Sequence, residues 1–419
     1  MDWMNITSCI LLLSVGLTIF NQKYLKAPTT IAVMSATLIL SLILILIEHF
    51  FHLNQSQYLI ELFSKIDFSQ ILLRGMLGYL LFAGALHINP TDFKSSFTEI
   101  LTLSTLSTLL STLLIAWMTF ILTTYLNAIF SIPLHLSWIA CLLFGALISP
   151  TDPIAVLGVL KTLNAPKSIS TKMAGESLFN DGVGIVLFLS IYQLAYTPAA
   201  QLNFSDISYL FLKQSGGGIL FGWLLGLITQ HFIQTTQGPK LHILITLALV
   251  TAGYTFADQI GVSGPLAMVI LGMMLNQKTA IYQLPPQSKQ LLHQFWELID
   301  ELLNIVLFSL IAIELILLKI SIPSCLLMIL IIPIVLCARW ITVLIPIRSL
   351  NLFKRQHPYT VEILVWGGLR GGLAVAMALS LPDTADRNLI LLLTYAVVTF
   401  SIVVQGSTIP KLVKKRFLT

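Results

Sequence analysis

Apolar residues fill the chain in long runs separated by short polar turns, with no sustained alternation of apolar and polar positions. A run of ~20 apolar residues matches a helix that crosses a bilayer, whereas the strands of a membrane barrel would alternate with period two. By that length rule the sequence predicts about thirteen spans, at residues 6–20, 30–49, 70–88, 100–126, 136–160, 172–195, 208–229, 240–256, 262–276, 293–317, 321–346, 361–381 and 387–408. The fourth run is longer than a straight crossing needs, which predicts tilt or a protruding end. No intervening stretch is long or polar enough for a separate soluble domain. The first run begins beside Asp2 with no Lys or Arg ahead of it, so it reads as a retained helix and not a cleaved signal.

Composition agrees. The chain is 56% hydrophobic and 10% charged, with a mean hydropathy of +0.90. These values predict an all-α polytopic membrane protein. The net charge of +5 bears on topology and gives no reason to expect a nucleic-acid partner. With the N-terminus outside, most of the 23 Lys and Arg fall on the inside, the C-terminal Lys414, Lys415 and Arg416 among them. The positive-inside rule then predicts an external N-terminus, a cytoplasmic C-terminus and an odd number of crossings. Cys9, Cys141, Cys325 and Cys337 lie in apolar runs and form no C-x-x-C pair. Neither a disulfide framework nor a metal-cluster site is expected.

Against this background the stretch from Ile148 to Gly184 stands out, because it carries Asp152, Glu176 and Asp181 at membrane depth. An ionised side chain at the middle of a bilayer costs ~2.5–3.5 kcal/mol on insertion scales, so three acids together predict a path for a cation or a proton. Ser149-Pro150-Thr151-Asp152-Pro153 breaks the fifth run, since each proline removes a backbone donor and clashes with the carbonyl one turn earlier. Such unwound backbone survives in a membrane only where it is buried in protein or lines a wet cavity. Asp152 also reads as a helix cap followed by proline, a role compatible with ligating an ion. In the sixth run Ser177 and Asp181 share one helical stripe, with Glu176 and Asn180 on its neighbour. Asp181 has no basic residue within a turn on its own helix. Its charge must be met by an ion, a proton or another span.

Arg370 lies among four glycines in Trp366-Gly367-Gly368-Leu369-Arg370-Gly371-Gly372, which predicts an interrupted helix there. Its expected partners are the acids of the sixth run, Glu176 above all, in a structural pair. Arg339 is expected to snorkel or to meet Glu362, and Glu314 to meet Lys319. Glu297, Asp300 and Glu301 read as first-turn acids that complement a helix dipole, with a cation funnel as the second reading. His87 and His293 read as interfacial histidines.

T-D-P, then G-E-S-L-F-N-D-G, then W-G-G-L-R-G-G-L-A-V-A-M-A-L-S-L-P resemble the sodium/proton antiporters of the cation:proton antiporter family 1, prokaryotic type. L-F-A-G-A-L-H-I-N and F-W-E-L-I-D-E-L-L-N-I-V-L-F are similar to the same family, so the likeness covers nearly the whole chain. The resemblance implies two inverted repeats with crossed, interrupted helices. It implies one antiporter unit over residues 1–419, with a core at 70–195 and 293–408, a scaffold and dimerisation part at 1–50 and 208–276, and a homodimer in a bacterial inner membrane. It further implies a secondary transporter that exchanges Na+ or Li+ for H+, with no cofactor. Asp181 would bind proton and Na+ in turn, Asp152, Ser177 and Thr151 would complete the ion site, and Asn180, Glu176 and Arg370 would support it. Asparagine before Asp181 resembles the electroneutral branch. Some relatives carry an acid in the third span, where Leu81-Phe82-Ala83-Gly84-Ala85-Leu86 has none.

Proton and cation compete naturally for one carboxylate held from bulk water, because either ligand relieves its buried charge. K+/H+ exchange on the same fold is the nearest alternative. An intramembrane aspartyl protease would need Y-D and G-x-G-D, both absent from the sequence, and a channel would repeat a filter motif.

Overall fold

The computed structural model describes residues 15–25, 68–130, 136–163, 165–196, 204–276, 284–316, 322–351 and 357–417, with positions 8, 12, 32, 35, 36 and 43. Most of the first two expected runs, with Cys9 and Lys319, therefore lies outside the described residues, as does the side chain of Glu314.

Among the described residues the chain is helical, without strands. Helix α1 spans Phe68–His87, α2 Pro90–Ser95, α3 Phe97–Ser104, α4 Leu106–Phe130, α5 Trp138–Ile148 and α6 Ile154–Thr162. Next come α7 at Lys167–Tyr196, α8 at Phe204–Thr235, α9 at Pro239–Gln259, α10 at Gly264–Leu275 and α11 at Pro286–Ile316. The chain continues as α12 at Ile322–Asn351, α13 at Thr360–Trp366, α14 at Gly372–Leu379, α15 at Ala385–Phe400 and α16 at Gly406–Phe417. Seven stretches among the described residues are long and apolar enough to cross a membrane, and α5 and α10 are shorter apolar helices. The expected count of thirteen is not established among the described residues, since most of the first two runs lies outside them and two others are divided into half-helices.

The fifth run divides where its prolines demand. Helix α5 ends at Ile148, residues 149–153 are unwound, and α6 starts at Ile154. The Asp152 carboxylate accepts from the Ile154 N–H at 3.1 Å, so it satisfies the first N–H of α6 as well as facing a cavity, while Pro153 holds the N-cap position. The run at 361–381 divides in the same way between α13 and α14, where the glycines allow unwinding. The two breaks meet. The Asp152 N–H donates to Leu369 O at 2.7 Å, and Arg370 Nη1 donates to the carbonyls of Ser149 and Pro150.

Helix α7 packs against α3, α5, α8 and α10. A larger apolar core contains Phe82, Phe144, Trp296 and Tyr395, while a second gathers Val156, Ile169, Ile363 and Val413 from α6, α7, α13 and α16. Exposed apolar side chains such as Trp117 on α4, Trp223 and Ile228 on α8 and Trp340 on α12 suit contact with lipid tails.

Gly371 permits the crossing itself, because a Cβ there would overlap the Asp152 side chain. Gly371→Ala is expected to destabilise the protein by about 1–3 kcal/mol, as overpacking of a tight site does. A fall in the thermal unfolding midpoint in detergent would register it.

Candidate functional site

A cavity of about 650 Å³ opens at the crossing of the two breaks. Thr151 and Asp152 reach it from the first break, Ser177 and Asp181 from α7, and Asp300 and Asn304 from α11. The α1 wall is mainly apolar, with Leu73, Leu77 and Leu80 facing in.

Thr151 is held on three sides. Its N–H donates to Asn180 Oδ1 at 3.3 Å, its hydroxyl accepts from Asn180 Nδ2 at 3.0 Å, and its carbonyl accepts from Ser177 Oγ at 2.5 Å. A backbone N–H can only donate, which sets the amide orientation of Asn180. Ser177 and Asn180 therefore satisfy backbone that the prolines left without helical partners. Asp152 and Asp181 are half-buried on the wall of the same cavity. The structure thus brings Thr151, Asp152, Ser177, Asn180 and Asp181 together as the sequence reading expected.

It does not pair Arg370 with Glu176. Glu176, 1% exposed, forms its ion pair with Arg339, whose Nη2 also donates to Leu364 O at 3.1 Å. Arg370 serves the carbonyls at the end of α5, and its own N–H donates to Ser401 Oγ at 2.9 Å. The reason is positional. Unwinding puts Arg370 level with the proline break, whose carbonyls have lost their donors, and α12 carries Arg339 to the acid. Glu362 is likewise not Arg339's partner, since Arg416 of α16 meets it at 2.9 Å.

The acids of the tenth run also need correction. Helix α11 begins at Pro286, so Glu297, Asp300 and Glu301 are not in its first turn and cannot act as dipole complements there. Asp300 instead faces the cavity, with Asn304 Nδ2 donating to its Oδ1 at 3.2 Å. The four-residue spacing of Asp300 and Asn304, which puts both on one helical face, was the available signal. His87 and His293 form a pair with ring centroids 5.7 Å apart, and His87 lines the cavity. A further buried pair that sequence reasoning missed joins Lys172 to Glu99 at 3.9 Å.

These pairings differ in what their loss should do. Glu176→Gln strands a buried guanidinium and is expected to cost about 3–5 kcal/mol. Glu362→Gln, at a part-exposed pair, is expected to cost no more than about 1 kcal/mol. Parallel thermal denaturation of the two variants checks the assignment.

Comparison with known proteins shows the family. The family described as "Sodium/hydrogen exchanger, transmembrane" matches residues 10–415. The Na(+)/H(+) antiporter NhaP of Pseudomonas aeruginosa is 39% identical over 98% of this chain and 96% of its own length. The Na(+)/H(+) antiporter NhaH of Halobacillus aidingensis is 32% identical over 97% of this chain and 96% of its own. Among solved structures, the sodium proton antiporter MjNhaP1 from Methanocaldococcus jannaschii at pH 8 superposes with a TM-score of 0.74 at 20% identity, covering 99% of this chain and 98% of that one, a likeness of fold. With a family match over nearly its whole length and relatives of such identity, the chain belongs to the sodium/hydrogen exchanger family, in its NhaP-like branch.

Proposed function

We propose that this integral membrane protein exchanges Na+ for H+ by alternating access, with both ions competing for Asp181. The observation that carries the reading is the juxtaposition of Asp152 and Asp181 with the polar atoms of Thr151 and Ser177 in a single cavity at crossed helix breaks. Its support from relatives lies in the names of the two bacterial antiporters, which match this chain over nearly its whole length.

The chemistry needs one carboxylate with two alternative ligands. A carboxylate in a partly dehydrated cavity is unfavourable bare, and a proton or a cation relieves it. Na+ is a hard ion suited to oxygen donors, and the Asp181 and Asp152 carboxylates, Ser177 Oγ and the oxygens of Thr151 supply them. Coupling then needs one rule: the core reorients only when Asp181 carries one ligand or the other. Asn180 is neutral and is already engaged with Thr151. A single exchanging acid on α7 suits one H+ per Na+, an electroneutral cycle. Li+ fits the same donor set.

Residues 70–195 and 293–408 would form the moving core, and 1–50 with 208–276 the scaffold of a homodimer. The apolar outward face of α8 and its lack of any acid on the cavity wall favour that division. The Lys and Arg distribution favours an external N-terminus and a cytoplasmic C-terminus, and the bacterial relatives favour a bacterial inner membrane.

In proteoliposomes at zero membrane potential, external Na+ is expected to drive proton movement in the unmodified protein. Asp181→Asn is expected to abolish it, and Ser177→Ala to weaken the apparent affinity for Na+. Lumenal pH recorded with a trapped dye reports both, and unchanged exchange in Asp181→Asn would refute the reading.

A further inference from the structure

Asp300 is the carboxylate on the cavity wall that the exchange just described does not use. It stands on one face of α11 with His293, Asn304 and Leu307, at helical spacings of seven, four and three. At one end of this face the His293 ring meets His87, itself on the cavity wall. At the other, Leu307 packs so closely on Gly372 that a Cβ there would overlap it, one residue beyond the Gly371 that abuts Asp152. Asp300 therefore sits about two turns, or ~10 Å, from each end.

The side chain is organised for a purpose other than an ion pair. Asn304 Nδ2 donates both to Asp300 Oδ1 at 3.2 Å and to Asp300 O at 2.8 Å, which fixes the carboxylate on the cavity face. Among the described residues no Lys or Arg forms a salt bridge with it. Asp300 lines the same cavity as Asp152 and Asp181, so the three carboxylates act on the same space. A fixed acid on the wall of a low-dielectric cleft concentrates cations there and attracts them inward.

We infer that Asp300 is a staging ligand for the transported cation, holding Na+ on the α11 wall before it passes to Asp152 and Asp181. This rests on the reading of Asp181 as the exchange site. Asp300 shapes cation capture and does not take part in the reorientation that sets the maximal rate.

The test is Na+-driven proton movement in proteoliposomes containing the full-length protein, Asp300→Asn, Asp300→Glu or Asp181→Asn, measured across a range of Na+ concentrations. Asp300→Asn is expected to raise the apparent KM for Na+ about tenfold, the effect of removing one nearby unit charge from a partly dehydrated site, with the maximal rate retained. Asp300→Glu, which keeps the charge, is expected to restore most of the affinity. Asp300→Ser, a smaller neutral replacement, makes the same measurement if the Asn variant does not reconstitute. An unchanged KM in the neutral variants, or a loss of maximal rate alone, would overturn the staging role. Exchange that survives in Asp181→Asn would instead overturn the underlying site reading.

Discussion

The structure depends on satisfying broken backbone where water is scarce. An unpaired peptide group in hydrocarbon costs several kcal/mol, so an interrupted helix persists in a membrane only if something else supplies its partners. Here each break supplies the other. The Asp152 N–H reaches Leu369 O, and Arg370 reaches back to Ser149 O and Pro150 O. The ends of α5 and α13, negative by their helix dipoles, are met by Arg370 and Arg339 respectively. Both guanidiniums are thereby engaged by helix-end carbonyls and Glu176, which leaves Asp152 and Asp181 to an incoming ion.

Helix α7 turns that arrangement into a site. Along one short segment Lys172 meets Glu99 of α3, Glu176 meets Arg339 of α12, and Ser177 and Asn180 hold Thr151 in the break. These attachments fix the rotation of α7, so Asp181 faces the cavity. A buried pair adds little net stability, yet losing one member is costly, which makes it a stronger determinant of orientation than of folding energy. Elements tied this closely would move as one body in any reorientation.

Much of this was legible in the sequence. Pro150, Pro153 and the glycines around Arg370 announce the breaks through backbone chemistry alone, and helical spacing puts Ser177, Asn180 and Asp181 near one another. The pairing of Glu176 was not legible, because it depends on the crossing of three elements that periodicity cannot relate. Asp300 was misread for a simpler reason. The start of α11, Pro286-Gln287-Ser288-Lys289-Gln290, is helical but polar, so hydropathy placed the helix start seven residues late, at 293, and drew the acids toward an end they do not occupy. The sixth run likewise starts late, at 172, whereas α7 already begins at Lys167.

The central claim is that proton and Na+ occupy one carboxylate in turn. Calorimetric titration of the purified protein with Na+, in buffers of different ionisation enthalpy, counts the protons released as the cation binds. The account predicts about one proton displaced for each Na+ bound under conditions where Asp181 is protonated, and loss of both binding and release in Asp181→Asn. Tight Na+ binding without proton release under those conditions, or release that persists in the variant, would contradict it.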